Sequence, residues 1–302
     1  DNKGAAHLCD ASAWHSLDDI GCLIIDFGGS AWTAAQLNAF WTMNDASTPL
    51  PFTFIKMGDR DGVVPFDGSV LSTIAARCPN LEMLDLQGPA DCLPAGLPPP
   101  DIGEGLLDLA QKCCLLDVSL LNVRTTTPKM HFFFKMIADS VEHLQVSFAL
   151  IENGSMDDVC SNRPPGADPT FSQAHLVQFM GEMLADAGRI KDLHLDQLDC
   201  RETVVDMGSG AEECETANTL RECVEMLLDD RDDGNAATLQ TFDFDFNNHT
   251  GGDDEEEAND QLAGDLVHEL REAYGHRLRV APGQFGGQDT PWYDSDEPEW
   301  HE

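Results

Sequence analysis

Apolar residues recur at offsets 0, 3 and 5 of a hexad in Leu81, Leu84, Leu86, in Val141, Leu144, Val146, in Ile190, Leu193, Leu195, and in Leu239, Phe242, Phe244. An earlier copy reads Ile20, Leu23, Ile25, and another reads Leu115, Val118, Leu120, where a shift by one residue is also open. Leu50, Phe52 and Phe54 alternate as a strand would, without the hexad offsets, and Leu278 with Val280 reads as a truncated final strand. Repetition at this scale constrains the fold more than any local preference, because each unit buries its apolar side only against the next unit. Helix-like stretches with apolar spacing of three and four precede most copies: Val70 to Ala76, Gly105 to Gln111, Phe132 to Ser140, Phe171 to Ala187, Ala217 to Leu228 and Leu262 to Tyr274. Leu81 to Leu115 to Val141 spans 34 and then 26 residues, whereas Val141 to Ile190 and Ile190 to Leu239 both span 49. The excess predicts inserted loops near 152–169, 199–215 and 247–260, the last containing the acidic run Asp253 to Asp260.

The expected architecture is α/β: a solenoid over residues 1–281 of about seven to eight irregular repeats, with parallel strands on a concave face and helices on the convex one. The segment Leu71-Ser-Thr-Ile-Ala-Ala-Arg-Cys78-Pro-Asn-Leu81-Glu-Met-Leu84-Asp-Leu86 resembles the leucine-rich-repeat superfamily, and within it the cysteine-containing, ribonuclease-inhibitor-like repeats of F-box proteins. Leu109-Ala-Gln-Lys-Cys113 echoes it. The resemblance implies a horseshoe and a protein-binding role, and it raises the substrate-recognition subunit of a ubiquitin ligase as one alternative. Residues 1–50 contain no Leu- and Pro-rich helical module that aligns with an F-box.

Against 17 Lys plus Arg stand 55 Asp plus Glu, a formal charge of -38. Such a field repels phosphate backbones and anionic lipid and steers basic partners inward. Nucleic acid is therefore not an expected partner. The longest apolar stretches, such as Cys22 to Phe27, itself interrupted by Asp26, fall short of the roughly 20 residues that span a bilayer, so membrane insertion is not expected either. Ten Cys are scattered without a CxxC pair, which predicts buried thiols in a reducing intracellular compartment: cytoplasm, nucleus, or an organelle if a targeting segment precedes Asp1.

Side chains alternate across a strand, so the residues between the core positions share the other face. This places Asp26, Asp85, Asp117, His143, Gln145, Asp192, His194, Asp196, Asp243 and Asp245 on one curved surface, the candidate partner-binding residues. Carboxylates in consecutive repeats repel and would gain from a cationic ligand, so the expected partner is a protein, a basic one fitting best. The opposing reading is a charge-rich surface that is merely solvated.

Asp192, His194 and Asp196 beside Asp243 and Asp245 could hold a divalent ion if the side chains converged, but a twisting sheet spreads them into a strip. No cofactor is expected. The turns Asp59 to Gly62 and Asp229 to Gly234 lack the spacing of a calcium loop, and His268-Glu269 lacks the second His of a zinc-protease helix. No phosphate loop, GxGxxG or GxSxG turn occurs, so an enzyme is not expected. The reading is a non-enzymatic protein-interaction scaffold, a subunit of a larger assembly fitting that role, with an acidic chaperone for basic proteins as a further alternative. The tail 282–302 carries Trp292, Tyr293 and Trp300 among acids and is expected to cap the last repeat, a docking peptide being the other option.

Overall fold

A computed structural model describes residues 24–26, 33–42, 49–58, 66–89, 99–155, 171–198, 203–205, 212–228, 238–246, 253–275 and 279–282. Eight strands form one sheet in which every pair is parallel. They are β1 (Ile24–Asp26), β2 (Phe54–Gly58), β3 (Met83–Gln87), β4 (Asp117–Leu121), β6 (His143–Ser147), β8 (Asp192–Leu198), β11 (Thr241–Phe246) and β12 (Arg279–Pro282), in that spatial order. Two short pairs lie outside it: the parallel β5 (Thr125–Thr126) with β7 (Ile151–Glu152), and the antiparallel β9 (Thr203–Val205) with β10 (Glu212–Cys214).

The hexads set the register. Leu84 pairs with Val118, and Leu144 with Leu193, while the second residue of each hexad accepts the same inter-strand bond: Leu116 N donates to Glu82 O, Glu142 N to Leu116 O, Lys191 N to Glu142 O and Gln240 N to Lys191 O. The Leu115 register is thereby settled as Leu115, Val118, Leu120, all buried. Near residue 50 the expected strand needs correction. Ile55 pairs with Leu84 and Met57 with Leu86, so the copy runs Phe52, Ile55, Met57, at the same offsets as the others. Phe54 obscures it, being an apolar side chain on the opposite face of the strand. Val280 pairs with Phe242, which makes β12, suggested by Leu278 and Val280, the last strand among the described residues, Leu278 itself lying outside them.

Among the described residues seven helices connect the sheet strands: α1 (Ala34–Trp41), α2 (Gly68–Arg77), α3 (Gly103–Lys112), α4 (Thr127–Ile137), α5 (Gln173–Ala187), α6 (Glu215–Leu228) and α7 (Asp253–Tyr274). Each packs on the next along the chain. Helices on opposite sides of a sheet could not touch, so this series is one layer. Local chemistry sets the starts: Thr33 and Gln36 form a capping box on α1, Asp67 accepts from Val70 N on α2, and Ser172 accepts from His175 N on α5. Helix α1 has no counterpart among the helix-like stretches of the sequence, and α4 begins five residues before Phe132, with Pro128 in its first turn where a missing N–H costs nothing. The acidic run Asp253 to Asp260 is not a loop but the first turns of α7. The expected loop 199–215 contains the β9–β10 hairpin.

Between sheet and helices lies one continuous apolar core, with Leu84, Leu86, Val118, Leu120, Leu144, Val146, Leu193, Leu195, Phe242 and Phe244 no more than 1 % exposed. Cys78 and Cys113 occupy equivalent positions, each just after its helix, and Cys113 Sγ contacts Cys78 O at 3.4 Å. The paired cysteines of the sequence resemblance are thus stacked, buried thiols. Residues 156–170 and 283–302 lie outside the described residues, as do the turns at 59–62 and 229–234.

Candidate partner interface

Strand alternation points the hexad residues into the helix layer, and the residues between them line the face opposite the described helices in rows about 4.8 Å apart from strand to strand. The first row runs Met83, Asp117, His143, Asp192, Thr241. The second runs Asp26, Lys56, Asp85, Ser119, Gln145, His194, Asp243. In the third, Ser147 pairs with Asp196, and Asp245 lies beyond on β11. All ten candidate residues therefore fall on one face. For Asp26 this is a register position only.

The carboxylates are not a uniform repelling array. Lys56 Nζ lies 2.9 Å from Asp85 Oδ2, His143 Nδ1 lies 2.6 Å from Asp192 Oδ2, and His194 Nδ1 lies 3.0 Å from Asp243 Oδ2. Each pair joins neighbouring strands within a row, so three acids expected to await an external cation have an internal partner. Lys56 is absent from the sequence candidates because the alternation of Leu50, Phe52 and Phe54 puts its strand out of phase. The two His–Asp pairs are legible in principle: both span 49 residues, the interval between the hexads of β6, β8 and β11.

Asp117 follows a different rule. Burial raises its pKa, Asp85 and Asp192 push the same way, and His143 opposes them. Gln145 is buried and accepts a long bond from Ser119 Oγ at 3.4 Å.

At the far end of the strip the sheet is bulged. Phe244 pairs with Leu195 but Phe246 pairs with Leu198, so β8 has one residue more than β11 there. Gln197 absorbs the difference at φ 55°, a left-handed conformation rarely taken by a non-glycine residue. The bulge returns Leu198 to the core while Asp196 remains on the polar face. Asp196 is only 4 % exposed, and its Oδ1 is buried without a hydrogen bond. Burial, with a smaller push from Asp245, raises its pKa to about 7 despite the Gln197 backbone bond. Asp243 Oδ1, on the adjoining strand, is likewise buried and unbonded. Beside them Ser147 is fully buried, its Oγ 3.2 Å from Asn122 Oδ1 and 3.4 Å from Gln197 Oε1.

Chemically this is a graded strip. Lys56, His143 and His194 each contact a carboxylate of the next strand, and at the β8–β11 end Asp196 and Asp243 each keep one buried oxygen without a hydrogen bond. Among the described residues no group of three or more His, Cys, Asp or Glu is placed to hold a metal ion, and no helix is long and apolar enough to cross a membrane. Comparison with protein-family models, with curated proteins and with solved structures found no match to this chain. The fold itself defines the class: an α/β protein whose eight-stranded sheet is parallel and follows chain order, with the described helices in one layer.

Proposed function

We propose that the chain is a leucine-rich-repeat solenoid that serves as a non-enzymatic scaffold, holding a basic protein partner on its helix-free, concave face. The observation that carries this reading is the confinement of Asp85, Asp117, Asp192, Asp196, Asp243 and Asp245 to one side of a single sheet. A formal charge of -38 supplies the long-range attraction, and the in-register rows supply fixed positions for cationic side chains. The buried free thiols Cys78, Cys113 and Cys223 suit a reducing intracellular compartment.

The test compares binding of purified lysine-rich and arginine-rich peptides at low and high salt. A face variant, D85N/D117N/D192N/D243N, is set against a helix variant of equal charge, E104Q/E182Q/E222Q/E225Q. The face variant is expected to lose about tenfold in low-salt affinity and the helix variant little, since steering by a localised field depends on where the charge sits. Equal losses in the two would overturn the reading.

A further inference from the structure

We propose that the bulged β8–β11 end of the polar face is a recognition point for one arginine or lysine side chain of the basic partner, where Asp196 exchanges its proton for the partner's charge. This rests on the partner-binding reading above and names the contact at its centre.

Two observations meet here. Asp196 is more than nine-tenths buried with an acceptor oxygen that nothing bonds, and Oδ1 of Asp243 on the neighbouring strand is buried and unbonded too. A buried carboxylate oxygen without a donor is costly, so such a group takes a proton or a cation. The Gln197 bulge keeps Asp196 on the same face as Asp243 and Asp245.

The surrounding charges are few. From β6 come the neutral Gln145 and Ser147, and His143 is engaged by Asp192; from β11 come Asp243 and Asp245; on β8 itself lie Asp192 and His194, the latter engaged by Asp243. Among the described residues of these strands, no Lys or Arg faces Asp196. With its pKa raised to about 7, Asp196 is substantially protonated in the free protein at neutral pH. An arriving guanidinium or ammonium group offers N–H donors and positive charge to the Asp196 and Asp243 oxygens, and the displaced proton leaves to solvent. The cation forms its bonds as the carboxyl O–H breaks, so charge and protons balance.

The experiment is calorimetric titration of the full chain with an oligo-arginine peptide at low salt. Titrations at pH 6 and pH 8, in buffers of differing ionisation heat, count the protons released. Close to one proton per bound peptide is expected at pH 6 and almost none at pH 8, with affinity rising about tenfold between them. D196N should fold, bind more weakly at pH 8 and lose that proton release, whereas E222Q/E225Q on α6 should match the wild type. Should D196N fail to fold, D245N serves instead: removing the neighbouring charge lowers the proton affinity of Asp196, so fewer protons are released at pH 6. Unchanged affinity and proton count in D196N, or in D245N where that variant stands in, would overturn the anchor and leave the wider reading standing. Equal weakening by E222Q/E225Q would also overturn it. No binding by the wild type would overturn the reading beneath it.

Discussion

Nδ1 of His143 lies 2.6 Å from Oδ2 of Asp192, joining two strands whose residues are 49 positions apart in the chain. The pair is partly exposed, so its contribution is modest and sensitive to salt. A double-mutant cycle with His143→Ala and Asp192→Ala should give a coupling of about 0.5–1 kcal/mol in low salt. Chemical denaturation measures it, and a coupling indistinguishable from zero would show that the contact does not stabilise the sheet.

Asp196 predicts how stability responds to alkali. Its pKa in the folded chain, about 7, is raised from an ordinary carboxylate value of 3.8. Between those values the folded state keeps a proton that the unfolded chain has released. The stabilisation is therefore complete below the lower value and is lost as pH rises through the upper one. Melting temperatures from pH 5 to pH 8 should fall in the wild type and stay flatter in D196N. The variant should overtake the wild type by roughly 1–3 kcal/mol at pH 8, since each tenfold difference in proton affinity between the folded and unfolded states is worth about 1.4 kcal/mol. Parallel curves would refute this.

His131 predicts the opposite limb. Its ring packs among Phe132, Phe171 and Phe179, and its Nδ1 is buried without a partner. Burial, with a smaller push from Lys135, lowers its pKa below 6.5. The unfolded chain therefore binds a proton first, and stability falls as pH drops through 6.5 toward the folded value. His131→Phe should remove part of the acid-side loss, seen as a higher melting temperature at pH 5 than the wild type and a smaller difference at pH 7.5.

Close helix packing supplies a fourth test. A Cβ on Gly105 of α3 would lie 2.5 Å from the backbone oxygen of Gly68 at the start of α2, while on Gly181 of α5 it would meet Cys223 Sγ at 2.8 Å and Met226 Cε at 3.1 Å. At Gly105 the nearest atoms are backbone and a Cβ, which cannot yield, whereas at Gly181 the two nearest are side-chain ends and the backbone Cα of Cys223 stands farther off at 3.2 Å. Gly105→Ala should cost about 2–3 kcal/mol and Gly181→Ala about 1–2 kcal/mol in urea denaturation. A reversed order would mean that α2 and α3 separate more readily than α5 and α6.

Much of the scaffold is legible in the sequence because burial has a period. Leu84, Leu144, Leu193 and Phe242 announce their strands by offset alone, and the helices before them announce themselves by spacing of three and four. The Phe52 hexad is hidden because Phe54 puts an apolar residue on the wrong face. Helix α1 is hidden because its signal is a short capping box, Thr33 with Gln36, ahead of only eight residues. The start of α7 resembles a loop because a run of like charges lacks the apolar spacing that marks the rest of that helix.

Hydrophobic burial depends on area and hardly on exact position, so outside the misread strand of Phe52, Ile55 and Met57 the chain alone determined which residues face the helices and which lie opposite, Asp26 being fixed by register only. Electrostatic pairing falls off over a few ångströms and changes strength with burial. Only the tertiary structure could therefore decide that Asp85, Asp192 and Asp243 are answered from the next strand, while a bulge at Gln197 leaves Asp196 buried with an oxygen unbonded.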